Sequence, residues 1–406
     1  MSFPILPKTP AGARFVALAE AHAADFLTRA SEHDRDGTFP YENIEAMKSS
    51  GFVAACVPEA LGGMGVTSVH DVMVGVSRLA QGDSSTTIGI SMHLMGTMAM
   101  ARRWAQAPSD PRPGEAMLRR VAAGEVIFAA INSENGSDPR HPFTEGTKVE
   151  GGWLINGRKS FGTGTPAATH YSCAIMVHDA EGTKRVAVAQ VPRDTAGMVI
   201  DPVWDAFGMR ASGSDDIVFT DCFLPDAMVT VGQPWGTFGP NVAGATFGGI
   251  ILTSVFLGIA EAAFGHALNA AMTRKRRRET PMREIPAVQA AIAELEILLA
   301  ATRAMLVRTS DLVDTRLDLA LPPPPLPELQ QIMMDVQATK HFVNHTAIQI
   351  CDKSLALSGG AGYLNKNPLS RLYRDVRAGP FMSPLTAGDG IEYIGRVALG
   401  LDPDEG

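Results

Sequence analysis

The sequence predicts an α+β fold that is mainly helical, with a β segment in the middle of the chain. Short runs rich in β-branched and aromatic residues are concentrated between about residues 128 and 230, where turn formers such as Asn156-Gly157 separate them. Apolar residues at helical spacing dominate the chain on both sides. We therefore predict an N-terminal helical domain (1–127), a middle β domain (128–232) and a C-terminal helical bundle (233–406).

The part before the β segment has several helix signals. Residues 11–36 carry Ala and Leu among charged residues at helical spacing, and Pro40 opens a further helix that Gly51 closes. Residues 67–107 predict two helices, of which the second begins with a capping serine or aspartate. His93 lies in this second helix among methionines, and a lone histidine on an apolar helix is more often packed than catalytic.

The part after the β segment predicts long helices. An apolar face recurs at helical spacing through residues 288–306, and residues 328–357 form another helix that the Gly359-Gly360 pair ends. The proline-rich residues 321–327 predict a stiff, non-helical connection between the two.

Residues 242–260 pass without a charge and are long enough to cross a membrane. Glycines and hydroxyl side chains make this segment moderately polar, and it lies in the middle of a chain of ordinary composition. We therefore predict a buried helix that is apolar on all sides because other helices surround it, and no membrane association.

Composition excludes some partners and sites. The net charge of −8 gives no basic surface for nucleic acid. The four cysteines share no CxxC spacing, so they predict reduced thiols, and we predict no metal site. The N-terminus lacks a basic region followed by a long apolar core, so no signal peptide is predicted and we expect a cytoplasmic protein.

Several motifs occur in a fixed order along the chain. They are NSENGSDP at 132–139, NGRKSFGTG at 156–164, FGMRASGSDDIVFTDCFLP at 207–225 and ALSGGAGYLNKNPLSRLYRDVRAG at 356–379. Together with the segment at 33–65, they resemble the acyl-CoA dehydrogenase superfamily nearly from end to end. The resemblance implies a barrel-like middle β domain, a C-terminal four-helix bundle, and FAD bound between them, with FMN as the alternative cofactor.

The resemblance also implies roles for residues of the first two motifs. Ser137 is expected at the pyrophosphate, Phe161 beside the isoalloxazine where the family usually has tryptophan, and Thr163 at the edge of the ring. The family threonine of the first motif is missing, and we expect Asn132 or Ser133 to take its place. The alternative is that these side chains only form turns.

A second group of residues resembles the family's contacts to the FAD of a neighbouring subunit. It contains Arg278, Gln289 and the Gly359-Gly360 pair, and it implies a homotetramer or a homodimer. The alternative for Arg278 is a solvated basic helix end. Two family residues on the adenine side are replaced here, by Pro281 and Ala356.

The catalytic base is the largest departure from the family. The position that usually holds its glutamate is Ser383, and the position used by a minority is Gly248. Alignment from the following helix instead places Asp389 on the glutamate, which makes Asp389 the candidate base. The alternative is that Asp389 caps the final helix.

Three functional interpretations remain open. The first is α,β-dehydrogenation of an acyl-CoA or a related carbonyl substrate with Asp389 as base and an electron-transfer flavoprotein as partner. The second is a flavin-dependent monooxygenase of the same fold, which uses O2 and reduced flavin from a flavin reductase and needs no carboxylate. The third is a scaffold without flavin. We expect the dehydrogenase.

Overall fold

The computed structural model describes residues 4–107, 112–239, 242–277 and 279–405. It confirms the predicted α+β fold, mainly helical, with a β segment between two helical parts. The N-terminal part contains helices α1 (Pro10–Phe26), α2 (Ala30–Asp36), α3 (Tyr41–Ser49), α4 (Val69–Ala80), α5 (Ser84–Gln106) and α6 (Glu115–Ala122).

Local side chains decide where these helices begin and end. The Asp83 carboxylate caps α5 by accepting hydrogen bonds from the backbone N–H groups of Ser85 and Thr86. The helix expected over residues 11–36 is divided between α1 and α2. At the break the Thr28 hydroxyl donates to the Asp25 carbonyl at 2.7 Å, which competes with continued helical bonding.

The middle of the chain forms one twisted sheet. Within the described residues it contains eight strands, in the order β6-β7-β3-β2-β4-β5-β8, with β1 paired to β4. We keep the boundaries at residues 127 and 232 as a prediction. The strands are β1 (Phe128–Ala130), β2 (Glu145–Val149), β3 (Gly152–Gly162), β4 (His170–His178), β5 (Lys184–Pro192), β6 (Met198–Asp201), β7 (Asp215–Pro225) and β8 (Val229–Pro234).

The C-terminal part is a bundle of long helices in which α9 contacts α7, α8 and α11. α9 begins at Leu326, earlier than predicted, because Pro327 lies in its first turn, where a proline has no helical hydrogen bond to lose. The elements are α7 (Val242–Thr273), hairpin strands β9 (Lys275–Arg276) and β10 (Thr280–Pro281), α8 (Pro286–Arg316), α9 (Leu326–Ser358), α10 (Pro368–Asp375) and α11 (Ala387–Ala398).

Helix α7 is the core element of the molecule. In the described part of the chain, it is the helix whose length and composition would allow it to cross a membrane, yet 78% of its most apolar window is buried inside the protein. The buried Glu261 carboxylate on α7 accepts hydrogen bonds from Arg78 and Gln81 of the N-terminal part and from Arg303 of α8. α7 therefore joins the two helical parts, as expected of a buried helix.

Asp375, at the end of α10, joins all three parts of the chain. Its carboxylate accepts from the Ser84 hydroxyl at the start of α5 and from the Met209 backbone N–H at 2.7 Å. The Arg371 guanidinium lies 3.7 Å away. Burial raises the pKa of Asp375, although Arg371 opposes this. The contact fixes the start of α5 and the segment before β7 relative to the bundle.

Candidate active site

Strand β3 ends at an exposed aromatic ring. Phe161 has a left-handed backbone (φ 57°), and 63% of the residue is exposed. Its ring is nearly perpendicular to that of Trp204, with the centroids 6.1 Å apart. Because the fold leaves this large apolar face open at the rim of the sheet, Phe161 is available to pack against a flat ring.

Thr163 lies at the end of a row of three hydroxyl groups. The hydroxyls of Ser212 and Ser214 are 2.7 Å apart, and the Ser214 hydroxyl donates to Thr163 Oγ1 at 3.0 Å. The acceptor for the Thr163 hydroxyl is the Phe161 carbonyl, at a long 3.4 Å. The Thr163 hydroxyl therefore makes only a weak hydrogen bond within the protein and can donate to a ligand instead.

The loop at 132–138 lies beside the end of β3. The Asn132 side-chain oxygen accepts from the Ala174 backbone N–H at 2.9 Å, and the Ser133 carbonyl accepts from the Ser160 backbone N–H at 2.8 Å. The first bond ties the loop to strand β4, and the second brings the two predicted loops together. The Asn132 oxygen and the Ser133 carbonyl thus already have partners within the protein.

Ser137 lies further along the same loop. Its hydroxyl donates to the His141 carbonyl at 2.6 Å, which leaves its oxygen able to accept. A side chain added at Gly136 would meet no atom within 4 Å, so the loop is open on this side. A phosphate could approach the backbone here, as in other glycine-containing phosphate loops.

An ion pair that sequence analysis did not predict connects the two motifs. The Lys159 ammonium donates to the Glu134 carboxylate, and both side chains are buried. Glu134 also accepts from the backbone N–H groups of Phe143 and Thr144. Burial alone would raise the pKa of Glu134, but the Lys159 charge and these hydrogen bonds outweigh burial and lower it. The presence of one acidic residue in the first motif and one lysine in the second was the sequence signal from which this pair could have been predicted.

Helix α5 of the N-terminal part packs against the loop that carries Thr163. Gly164 has φ 83°, a backbone that favours glycine, and it packs against Gly89 of α5. Further along α5, Met95 lies against Gly248 of α7. One turn before Gly248, Gly244 has open space around it. Helix α5 thus contacts both the Thr163 loop and the side of α7 that carries Gly244 and Gly248.

Asp389 lies in the first turn of α11, beside a buried cation. Its carboxylate accepts from the Thr386 hydroxyl at 2.7 Å. The neighbouring Lys340 ammonium, on α9, donates to the carbonyls of Met382 and Leu385. Burial lowers the pKa of Lys340 to about 8, although the Asp389 charge opposes this shift. The role of Asp389 as a base stays a prediction.

The residues expected to serve a neighbouring subunit lie where α7, α8 and α9 end or begin. The Arg274 guanidinium at the end of α7 donates to the Ser358 carbonyl, which precedes the exposed Gly359-Gly360 pair. The Gln289 side chain, near the start of α8, donates to the carbonyl of Arg283, which precedes that helix. Arg278 lies outside the described residues. Their contact with a second subunit stays a prediction.

Three family models match consecutive parts of the chain. The N-terminal, middle and C-terminal domains of acyl-CoA dehydrogenase match residues 11–110, 128–222 and 250–381. The chain belongs to the acyl-CoA dehydrogenase family. The resemblance predicted from the motifs is therefore confirmed.

Relatives within the acyl-CoA dehydrogenase family have different activities. The chain is 35% identical to the amino sugar nitrososynthase DnmZ of Streptomyces peucetius over 97% of this chain and 95% of the relative. It is 31% identical to the putative acyl-CoA dehydrogenase YdbM of Bacillus subtilis, over 89% and 91%. A solved structure of KijD3 with FMN and dTDP-3-amino-2,3,6-trideoxy-4-keto-3-methyl-D-glucose has a TM-score of 0.89 at 32% identity, covering 98% of this chain and 96% of that one.

The residues present fit the flavin that this fold carries. The exposed Phe161 ring offers an apolar face, and Thr163 offers a hydroxyl donor whose acceptor within the chain is distant. Ser137 and the open backbone at Gly136 can accommodate a phosphate. An apolar face with a few placed polar groups is the usual composition of a cofactor site.

Proposed function

We propose that this protein is a flavin-dependent monooxygenase that oxidises the amino group of a nucleotide-linked amino sugar. The observation that carries the proposal is the lack of a free carboxylate at the family's base positions. Ser383 and Gly248 occupy the two expected positions, and the Asp389 carboxylate is bonded to the start of its own helix. Oxygenation of an amine does not need the α-proton abstraction for which the family uses glutamate.

The likeness to relatives supports the same substrate class. Both the nitrososynthase DnmZ and KijD3, whose solved structure holds a dTDP-linked amino sugar, are more than 30% identical over nearly the whole chain. In our proposal, bound reduced flavin supplies the activation of O2. Thr163 donates to the ring edge, Phe161 packs against the ring, and Ser137 binds the phosphate.

Cofactor and partners follow from this proposal. FMN is favoured over FAD because Pro281 and Ala356 replace the two family residues expected near the adenine, and because the KijD3 structure contains FMN. The substrate amine does not reduce the flavin, so a flavin reductase has to supply the electrons. An electron-transfer flavoprotein, which would accept electrons, is not needed. We also propose a cytoplasmic location.

Assembly as a homotetramer or homodimer is also proposed. Large apolar side chains are exposed next to the glycine pair after α9, including Tyr363, which is 84% exposed. A surface of this kind beside predicted inter-subunit contacts supports closed, symmetric association. Light scattering of the FMN-loaded protein should give a mass of at least two chains, and a fully loaded monomer would contradict this.

A reconstituted reaction tests the proposed function. The purified protein is combined with FMN, a flavin reductase, NADH, O2 and a dTDP-linked 3-amino sugar. Mass spectrometry should detect a product in which the amino nitrogen of the sugar carries an oxygen atom derived from isotopically labelled O2. In a parallel anaerobic experiment, butyryl-CoA and longer acyl-CoA esters should leave the bound oxidised flavin unbleached.

The second candidate is the predicted dehydrogenase, with Asp389 as base. The likeness to YdbM favours it. Anaerobic bleaching of the flavin by an acyl-CoA, with no oxygenated amine in the aerobic reaction, would establish this candidate and reject the monooxygenase.

A further inference from the structure

The segment that follows α11, residues 399–405, folds back against the loop that carries Ser137. The Pro403 carbonyl accepts a hydrogen bond from Arg140 Nη1 at 3.3 Å. The Asp404 carboxylate accepts from the Phe238 backbone N–H at 3.2 Å. Next to Pro403, the Asp402 carbonyl accepts from Arg396 Nε of α11 at 2.7 Å. The segment is therefore held by α11, by the loop and by the chain after β8.

Arg140 transmits this contact to the loop. Its Nε and Nη2 donate to the two oxygens of Asp138, at 3.3 and 3.1 Å, and its guanidinium lies over the Phe238 ring at 5.5 Å. Burial would raise the pKa of Asp138, but the hydrogen bonds from Arg140 and His141 outweigh burial and lower it. Ser137 precedes Asp138 and donates to the His141 carbonyl. The loop's conformation at Ser137 thus depends on Arg140.

The joint between this segment and the loop is polar and incompletely packed. A cavity of about 30 Å³ lies where Arg140 and Pro403 meet α11 and the turn before it, and its other lining residues are Leu385, Asp389, Glu392 and Tyr393. Among the described residues, the buried Tyr393 hydroxyl and Asp404 Oδ1 have no hydrogen-bond partner. Burial raises the pKa of Asp404, although Phe238 and Arg140 oppose this. Such a joint is weaker than an apolar core and can open locally.

We propose that residues 399–405 are a latch that sets the affinity of the Ser137 loop for the flavin phosphate. With the latch docked, Arg140 and Asp138 hold the loop in the conformation that binds phosphate. With the latch released, the loop has to be ordered by the ligand, so part of the binding free energy is lost. Arg140 is a positioning residue in this scheme. The inference rests on the flavin site of the proposed function.

Two variants break the latch from opposite sides. One ends the chain after Leu399, and the other is Arg140→Gln, which keeps the full chain but removes the charged donor. Glu405→Gln is the matched control, because it removes an exposed charge in the same segment. Dissociation constants for FMN are measured by flavin fluorescence, and backbone hydrogen exchange is followed in residues 132–143 of the FMN-free proteins.

Both latch variants should bind FMN about tenfold more weakly than wild type, the change that corresponds to losing one charged hydrogen bond. Their amides at 132–143 should exchange faster, and Glu405→Gln should match wild type in both measurements. If truncation prevents folding, Asp404→Ala decides the outcome, because it removes the acceptor of the Phe238 N–H and leaves the Arg140–Asp138 contact in place. Wild-type affinity and exchange in the folded truncated protein or in Asp404→Ala would overturn the latch, as would a wild type that binds no FMN. A wild type that binds FMN but oxidises no amino sugar rejects the proposed function and leaves the latch intact.

Discussion

Thr386 and Asp389 bond each other at the start of α11. The Thr386 hydroxyl donates to Asp389 Oδ2 at 2.7 Å, and the Asp389 backbone N–H donates to Thr386 Oγ1 at 3.4 Å. Thr386 is therefore the N-cap of α11, and Asp389 accepts the hydroxyl proton of the capping side chain rather than the backbone N–H that a capping box would use. One oxygen of the carboxylate that the sequence offers as a catalytic base is therefore bonded within its own helix.

Replacement of Asp389 by asparagine separates the capping role from the base role. Asparagine also accepts a hydrogen bond, so we expect the free energy of unfolding to fall by less than about 1 kcal/mol and turnover to stay near normal. Turnover is measured with the reconstituted amine oxidation. A folded, flavin-loaded variant with turnover reduced by roughly 100-fold would instead identify Asp389 as the base. Thr386→Ala is the comparison variant, because it removes the capping hydroxyl and its bond to Asp389 but keeps the carboxylate.

Replacement of Thr163 by valine removes the hydroxyl expected at the flavin ring. We expect the affinity for FMN to fall by roughly 1 kcal/mol, with a shift of the flavin absorption bands. Ser214→Ala is the matched control, since it removes the hydrogen bond donated to Thr163 but leaves the Thr163 hydroxyl in place. An unchanged spectrum in Thr163→Val would exclude contact between this hydroxyl and the ring.

Removal of one partner of the buried Glu134–Lys159 pair should destabilise the middle sheet. In Glu134→Gln, Lys159 keeps a buried charge without its counter-ion, and we expect a loss of roughly 3–5 kcal/mol in the free energy of unfolding. Chemical denaturation followed by far-UV circular dichroism measures the loss. The double variant with Lys159→Met should recover much of it, because no uncompensated charge remains. Equal losses in single and double variants would contradict a coupled pair.

Lys340 should give the protein a pH-dependent stability. Burial lowers its folded-state pKa from 10.5 to about 8, so between these values the unfolded chain binds more protons than the folded one. The free energy of unfolding should therefore rise with pH across this window, by roughly 3 kcal/mol at most, relative to Lys340→Met. Denaturation of both proteins at several pH values tests this.

The control for this pH experiment is Lys353→Met. Lys353 lies on the same helix, is partly exposed and is paired with Glu294. Its removal should leave the stability difference from wild type nearly constant over the same pH range. A stability difference between wild type and Lys340→Met that does not change with pH would show that Lys340 titrates at its usual pKa.

The sequence predicts the fold and the two candidate loops because these depend on local patterns. Turn formers and motif order were enough to select Ser137 and Thr163. Ser214 could not be predicted as a partner of Thr163, because the contact depends on the pairing of Gly162 with Asp215 between β3 and β7. The Glu134–Lys159 pair likewise forms only after the loop at 132–138 packs against strand β3. An aspartate at the start of the final helix is compatible both with a structural role there and with a role as base. Local sequence alone therefore does not distinguish the two roles of Asp389.

The position of α7 in the bundle has a consequence for how the protein is made. During synthesis, α7 leaves the ribosome before α8 and the proline-rich connection, whereas α9, which packs along its length, follows them. Until α9 emerges, a long uncharged face of α7 stays open to water and to other nascent chains. Delayed translation between α8 and α9 should therefore favour aggregation and chaperone binding of this protein.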